Sequence, residues 1–377
     1  MKQLGISLYP EQSTFERDKE YMDLAHKYGY RRIFTSLLQL KSASGEDILA
    51  KLKKDVAYAN ELGFKTVVDI NPVLFKELKI DYNDLVFFHN LGVWGLRLDE
   101  GFSGMEEASM THNRYGLKIE LNMSRGTNYL DSIMAYNPEN DNLIGCHNFY
   151  PQEYTGLSEK IFNEYSQKYR DYGLHTAAFI SSKNAKFGPW PVHEGLPTLE
   201  SDRKRNIFSQ VTHLRLSKMI DDIIIGNAFA SEDELAAAAN AFNSSFPTLG
   251  IDFEDDILPI EQTICLKEPH LYRGDASAFL LRDTQPRVVY AKEDIPAHNN
   301  DKASFARGDI VVVNDKYPRY KGELQIVLTP FVNDGRRNLV GHLHPDDLDL
   351  LKSIEPWSTF ILQKVDYIDL IIKNRGQ

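Results

Sequence analysis

Cysteine is scarce: Cys146 and Cys265 are the only two in 377 residues, and they form no CxxC pair. This argues against a disulfide framework or a Cys-based structural zinc site, and it fits a reducing compartment. No apolar run approaches the roughly 20 residues that a membrane-crossing helix needs. There is no basic stripe and the net charge is −11, so nucleic acid is not an expected partner. Low-complexity tracts and heptad arrays are missing. So are the fingerprints of dinucleotide and P-loop sites, a GxSxG elbow and an HExxH motif. A strand pattern begins directly after Met1-Lys2-Gln3, without a signal-peptide core, so the expected location is the cytoplasm.

What remains is an ordinary globular composition, 42% hydrophobic and 26% charged. The length exceeds the roughly 250 residues of one large domain and predicts two. One signal recurs: a helical pattern closes on glycine, an apolar residue follows, and a β-rich run begins. It occurs at Gly29-Tyr30, Gly63-Phe64, Gly92-Val93, Gly116-Leu117 and Gly173-Leu174. The runs that follow this logic are 4–9, 31–36, 65–70, 94–99, 117–122, 143–149, 175–181 and 222–226. Amphipathic stretches such as 46–62 separate them. Eight such units predict an α/β fold, a parallel (β/α)8 TIM-type barrel over residues 1–243.

The last barrel helix, 232–242, opens on a capping box of Ser231 and Glu234. Residues 244–260, rich in proline, glycine and acid, read as a linker. Residues 261–377 predict a small antiparallel β-barrel or sandwich, with strands at 287–291, 309–313, 323–328, 339–342 and 357–365.

Barrel active sites lie at the C-terminal ends of the strands, and there this sequence is polar. Strand one supplies Ser7 and Tyr9 with Glu11 just beyond; strand three supplies Asp69 and Asn71; strand four supplies Arg97 and Asp99. Strand five adds Glu120, Asn122 and Ser124, strand six His147 or Asn148 with Tyr150, and strand seven Ser181. So many polar groups in one ring imply a solvated, functional mouth.

Carboxylates dominate the ring, and the stretch WGLRLDEGF (94–102) delivers Asp99-Glu100 into a glycine turn. This favours acid/base chemistry without a metal or other cofactor; a solvated turn and an Arg97–Asp99 ion pair are the plainer readings of the same residues. The His342/His344 pair could hold a metal, but a surface pair is the simpler expectation. Trp190, between prolines in the long loop 183–200, could stack on a sugar or simply pin the loop. An anion could be met by Arg282, Arg307 or Lys321, within Arg282-Asp283, Arg307-Gly308-Asp309 and Arg319-Tyr320-Lys321, or by Arg273.

Several stretches together resemble the bacterial 6-phospho-N-acetylmuramidase family. They are Gly5-Ile6-Ser7-Leu8-Tyr9-Pro10, Cys146-His147-Asn148-Phe149-Tyr150-Pro151, Thr155-Gly156-Leu157, Gly188-Pro189-Trp190 and Arg307-Gly308-Asp309-Ile310. The resemblance spans essentially the whole chain. It implies a cytoplasmic glycoside hydrolase of peptidoglycan recycling that cleaves N-acetylmuramic acid 6-phosphate from N-acetylglucosamine in a β-1,4 disaccharide. It also implies a C-terminal cyclophilin-like domain.

A 2-acetamido sugar opens a substrate-assisted route beside the two-carboxylate mechanisms. Asp99-Glu100 resembles the Asp-Glu pair of hexosaminidases, so Glu100 is the expected general acid and Asp99 the acetamido-orienting carboxylate. Asp69 and Glu120 are reserves. The competing readings are a metal-dependent sugar-phosphate isomerase or epimerase and a non-enzymatic phosphosugar-binding protein. The expected partner is a small phosphorylated amino-sugar disaccharide, with a homodimer possible and neither nucleic acid nor membrane.

Overall fold

The computed structural model describes residues 2–38, 45–298 and 302–364, and it forms two compact units, 1–239 and 240–377. In the first unit the five glycines named above all have positive φ, from 70° to 86°, where each helix turns into the next strand.

The strands are β1 (Leu4–Ser7), β2 (Arg32–Ser36), β3 (Lys65–Ile70), β4 (Gly95–Leu98), β5 (Lys118–Asn122), β6 (Leu143–Cys146), β7 (His175–Ile180) and β8 (Asp222–Ile225). All neighbours are parallel, and β8 pairs back to β1 through Leu4↔Ile223 and Ile6↔Ile225, closing an eight-stranded barrel. Runs such as Ile223-Ile224-Ile225 are apolar at consecutive positions because helices cover one face and the barrel interior the other. The capping box forms: the Ser231 amide donates to Glu234 at 3.1 Å and the Glu234 amide to Ser231 Oγ at 3.3 Å, opening the helix Glu232–Asn243.

The barrel interior is not wholly apolar. Buried Arg32 reaches Glu120 on β5 and Asp222 on β8, the latter at 2.5 Å. Because β2 and β5 are not neighbours, the first of these bonds crosses the barrel.

The second unit is a nearly closed mixed sheet with a small pair beside it. Its strands are β9 (Thr248–Phe253), β10 (His270–Leu271), β11 (Leu280–Asp283), β12 (Ser304–Phe305), β13 (Asp309–Val313), β14 (Leu324–Val327), β15 (Phe331–Val332), β16 (Arg337–Leu343) and β17 (Thr359–Lys364). The order is β10-β17-β9-β16-β13-β14-β11, and the Arg273 amide donates to the Arg282 carbonyl at 2.9 Å, bringing the two edges together. β12 pairs with β15.

Three expectations need correction. Residues 244–260 contain β9, an inner strand: Pro247, Gly250 and the acids mask its apolar residues, and Leu249 and Ile251 are fully buried. The sheet is mixed rather than antiparallel, since β17 runs parallel to β9. Residues 287–291 are not a strand but overlap the short helix Gln285–Val289, whose first turn holds Pro286, where a missing amide costs nothing. The expected end of the last strand, residue 365, lies outside the described residues. No described helix is long and apolar enough to cross a membrane.

Candidate active site

Strand ends bring one charged cluster to the barrel mouth. Arg97, the third residue of β4, is buried, and its Nη1 donates to Asp69 of β3 at 2.8 Å and to Asp99 at 3.2 Å. Its Nη2 meets the Asn148 side-chain oxygen just past β6. Below, its Nε lies 4.0 Å from Glu120. A line of alternating charge thus runs up the interior, Asp222–Arg32–Glu120–Arg97, and ends in two carboxylates. Asn122 closes the ring by donating to the Asp99 backbone oxygen at 3.3 Å while its own oxygen accepts from the Ser124 amide at 2.9 Å.

The carboxyl groups in this cluster differ by environment. Asp69 is buried, and burial pushes its carboxyl up to about 7 against the pull of Arg97. The Asp99 side chain is 36% exposed, and Glu100 next to it is exposed in the bend after β4. That bend is shaped from beneath by buried Glu107, which accepts from the amides of Phe102 and Gly104 and from the Tyr129 hydroxyl at 2.5 Å. A Cβ at Gly101 would collide with the Tyr129 hydroxyl, so any larger residue there must displace that ring or the bend. Glu11, in the turn Pro10–Gln12, is half-buried, its Oε1 has no hydrogen-bond partner among the described residues, and burial raises its carboxyl.

Several residues expected to face substrate do structural work. Ser7 Oγ donates to the Ile225 carbonyl at 2.8 Å and Tyr9 to Gly226 at 2.5 Å, fastening β1 to β8, and both are buried. Asn71 caps the helix Pro72–Glu77 by accepting from the Leu74 amide at 2.9 Å.

Of the pair His147 and Asn148, Asn148 faces the mouth. His147 is fully buried between Ser124 at 3.0 Å and Ser166 of the helix Glu159–Asp171 at 2.9 Å, and burial pulls it down to about 3, so the ring is neutral. Glu120, a reserve carboxylate, has no exposed surface and is committed to Arg32.

Asn148 is followed by Phe149, which packs edge-on against Phe34 at 5.8 Å and Phe179 at 5.0 Å. Trp190, 48% exposed, lies 6.2 Å from Phe149, so aromatic surface leads outward from the cluster. Half-buried Tyr150 follows, its phenol raised by burial. Buried Ser181 accepts from the Leu196 amide at 2.9 Å and lines a cavity of about 270 Å³ in the loop after β7, with Lys183, Lys186, His193 and Arg203 but without Asp69, Asp99 or Glu100. Amides near this loop are already occupied by an acid: Glu234 accepts from Lys183 N at 2.7 Å and Ser182 Oγ at 2.6 Å, so the usual phosphate position after strands seven and eight holds a carboxylate.

In the second unit, Arg282 and Lys321 line one cavity. Arg307 stands apart, donating to the carbonyls of Leu328 and Leu348 at 3.2 and 3.3 Å. His342 is no simple surface histidine: Asp309 and Glu254 flank it, each at 2.7 Å, and hydrogen bonding to Asp309 raises its basicity. His344 accepts from the Asp346 amide at 3.2 Å.

Arg32, Asp222 and Glu107 escape sequence reasoning, and Glu120, expected at the mouth, is instead buried against Arg32. Arg32 opens RIFTS and Asp222 opens the otherwise apolar DIII, and a charge at the first position of a buried strand is the available signal.

Residues 4–240 match the family model described as 6-phospho-N-acetylmuramidase, N-terminal, and residues 247–363 match its C-terminal counterpart. A crystal structure of an uncharacterized B. cereus protein is 40% identical, with a TM-score of 0.88, over 96% of this chain and 99% of that one. A conserved Enterococcus faecalis protein of unknown function is 25% identical, with a TM-score of 0.74, over 98% of this chain and 99% of that one. No curated protein matches the chain.

Proposed function

The chain belongs to the 6-phospho-N-acetylmuramidase family, a family of glycoside hydrolases, and from that premise we propose that it cleaves the β-1,4 bond between N-acetylmuramic acid 6-phosphate and N-acetylglucosamine at the Arg97 cluster. The observation that carries this reading is the pairing of unlike carboxyl groups on one strand end. Asp99 is fixed by Arg97 and Asn122 yet partly open, and Glu100 is exposed to solvent one residue on.

In this proposal Asp99 accepts the N–H of the 2-acetamido group and turns its carbonyl oxygen toward C1. That oxygen attacks C1 as the bond to the leaving sugar breaks, and the Glu100 carboxyl gives its proton to the departing oxygen. Water then adds at C1 and returns a proton to Glu100, opening the oxazolinium ring. No metal is required for either step. Asp69, with its carboxyl near 7, is the alternative proton donor. Trp190 supplies a face for a sugar ring, and Tyr150 and Asn148 supply polar contacts. The product pair fits turnover of cell-wall fragments in the cytoplasm.

The deciding experiment is hydrolysis of a chromogenic N-acetylmuramic acid β-glycoside with and without the 6-phosphate. Turnover of the phosphorylated compound alone is expected. Saturable binding of it without turnover would replace this reading with a phosphosugar-binding protein.

A further inference from the structure

The second unit contains a cavity of about 780 Å³ with a cationic wall. Arg273, Arg282, Arg287, Arg319 and Lys321 line it, against the single carboxylate of Asp275. In a chain of net charge −11, this gathering runs opposite to the average surface.

Their ion pairs separate committed from available charge. Buried Glu323 holds Arg282 with both oxygens, at 2.6 and 3.0 Å, and Asp275 holds Arg273. Arg287 lies 3.9 Å from Glu323 with its guanidinium 5.5 Å from the Tyr320 ring. Lys321 is 3.5 Å from Asp315, which is outside the wall. Exposed Arg319 has no carboxylate partner among the described residues.

Arg273 and Asp275 also line a neighbouring cavity of about 380 Å³, together with Trp357. Trp357 is 70% exposed and has a φ of +68°, a conformation that bulky side chains rarely adopt. Its indole lies so close over Gly274 that any Cβ there would collide with it. A large aromatic kept in the open on a strained backbone, beside guanidinium groups, has the chemistry of a stacking face next to an anion site.

We propose that the second unit binds a ring-bearing phosphate ester, with the phosphate among Arg287, Arg319 and Lys321 and the ring on Trp357. A sugar phosphate and a nucleotide share this chemistry. The site goes beyond the barrel reaction and does not depend on it.

The test is calorimetric titration of the full chain with glucosamine 6-phosphate, AMP, inorganic phosphate and unphosphorylated glucosamine. The two esters are expected to bind more tightly than inorganic phosphate, and glucosamine not to bind. Arg319→Ala/Lys321→Ala is expected to weaken every phosphate at least tenfold. Trp357→Gly suits the positive φ and so keeps the backbone; it is expected to weaken the esters at least fivefold and leave inorganic phosphate unchanged. The tighter of the two esters identifies the source.

Absence of saturable ester binding, or ester affinities that neither variant changes, overturns the proposal. Esters no tighter than inorganic phosphate overturn the stacking half. Hydrolysis of the muramic acid glycoside by the same variants is scored separately, so a failed barrel reaction and a failed second site give different results.

Discussion

At the scale of single residues, the proposed mechanism turns on how unlike Asp99 and Glu100 are made by their neighbours. A general acid contributes about 10²–10⁴-fold, and most when the leaving group is poor. Glu100→Gln is therefore expected to lower kcat at least a hundredfold on the disaccharide but far less on a nitrophenyl glycoside, whose phenolate leaves without a proton. Asp99→Asn is expected to lower kcat on both substrates, because acetamido attack precedes either departure. Steady-state kinetics on the two substrates check this, and near-normal turnover in both variants would sink the assignment.

Asp69 gives a second residue-scale expectation. Its folded carboxyl, near 7, lies above its unfolded value, so the folded state holds the proton more tightly. The stability this contributes is fully present below the unfolded value near 4 and is lost as pH rises through 7, an effect on the order of 4 kcal/mol. The stability difference between the native chain and Asp69→Asn should therefore shift in favour of the variant between pH 4.5 and 7.5, measured by urea unfolding. Asp55 is also raised to about 7 by burial, but it is common to both proteins and cancels.

At the scale of elements, the bend after β4 is held by Glu107 and Tyr129 against Gly101, and it carries Glu100. Gly101→Ala forces the Tyr129 ring or the bend to move, and a displacement of about 1 Å can cost a hundredfold in rate. The variant should lose at least tenfold in kcat while its melting temperature drops only a few degrees; kinetics and a thermal scan on one preparation decide.

The interior line of charge belongs to this scale too, because it joins β2, β4, β5 and β8. Removing one partner of a buried pair costs about 3–5 kcal/mol, so Glu120→Gln is expected to lower stability by that order through Arg32 rather than through substrate, measurable in urea.

Sequence patterns located the elements of the barrel well, because both a helix closing on glycine and an apolar strand are local signals. All eight observed strands lie inside the expected runs. The second unit was less legible. Strands of two residues, such as β10, carry no period, and β9 hides among breakers. For the site, alternation placed Asp69, Arg97 and Asp99 at the mouth, where Arg97 does meet both acids, but it left strand six open between His147 and Asn148. It could not say which polar side chains face solvent and which satisfy a backbone carbonyl, because that depends on a neighbouring strand far away in sequence. Ser7 and Tyr9 spend their hydroxyls on β8 and the residue beyond it.

At the scale of the whole molecule, the chain is acidic and the proposed substrate is an anion, so on that proposal any selection for the phosphate comes from local cations working against the long-range field. If a local cation grips the phosphate, the phosphorylated glycoside should exceed its unphosphorylated form in kcat/KM by at least a hundredfold, because a charge-assisted hydrogen bond in a desolvated site is worth about 3 kcal/mol. Such a grip leaves the chemical step to carboxyl groups, so a chelator should not change the rate. Assaying both glycosides with and without chelator tests the two statements together. Equal rates on the two glycosides would remove the phosphate from the recognition chemistry, and loss of turnover in chelator would replace Asp99 and Glu100 with metal-assisted catalysis.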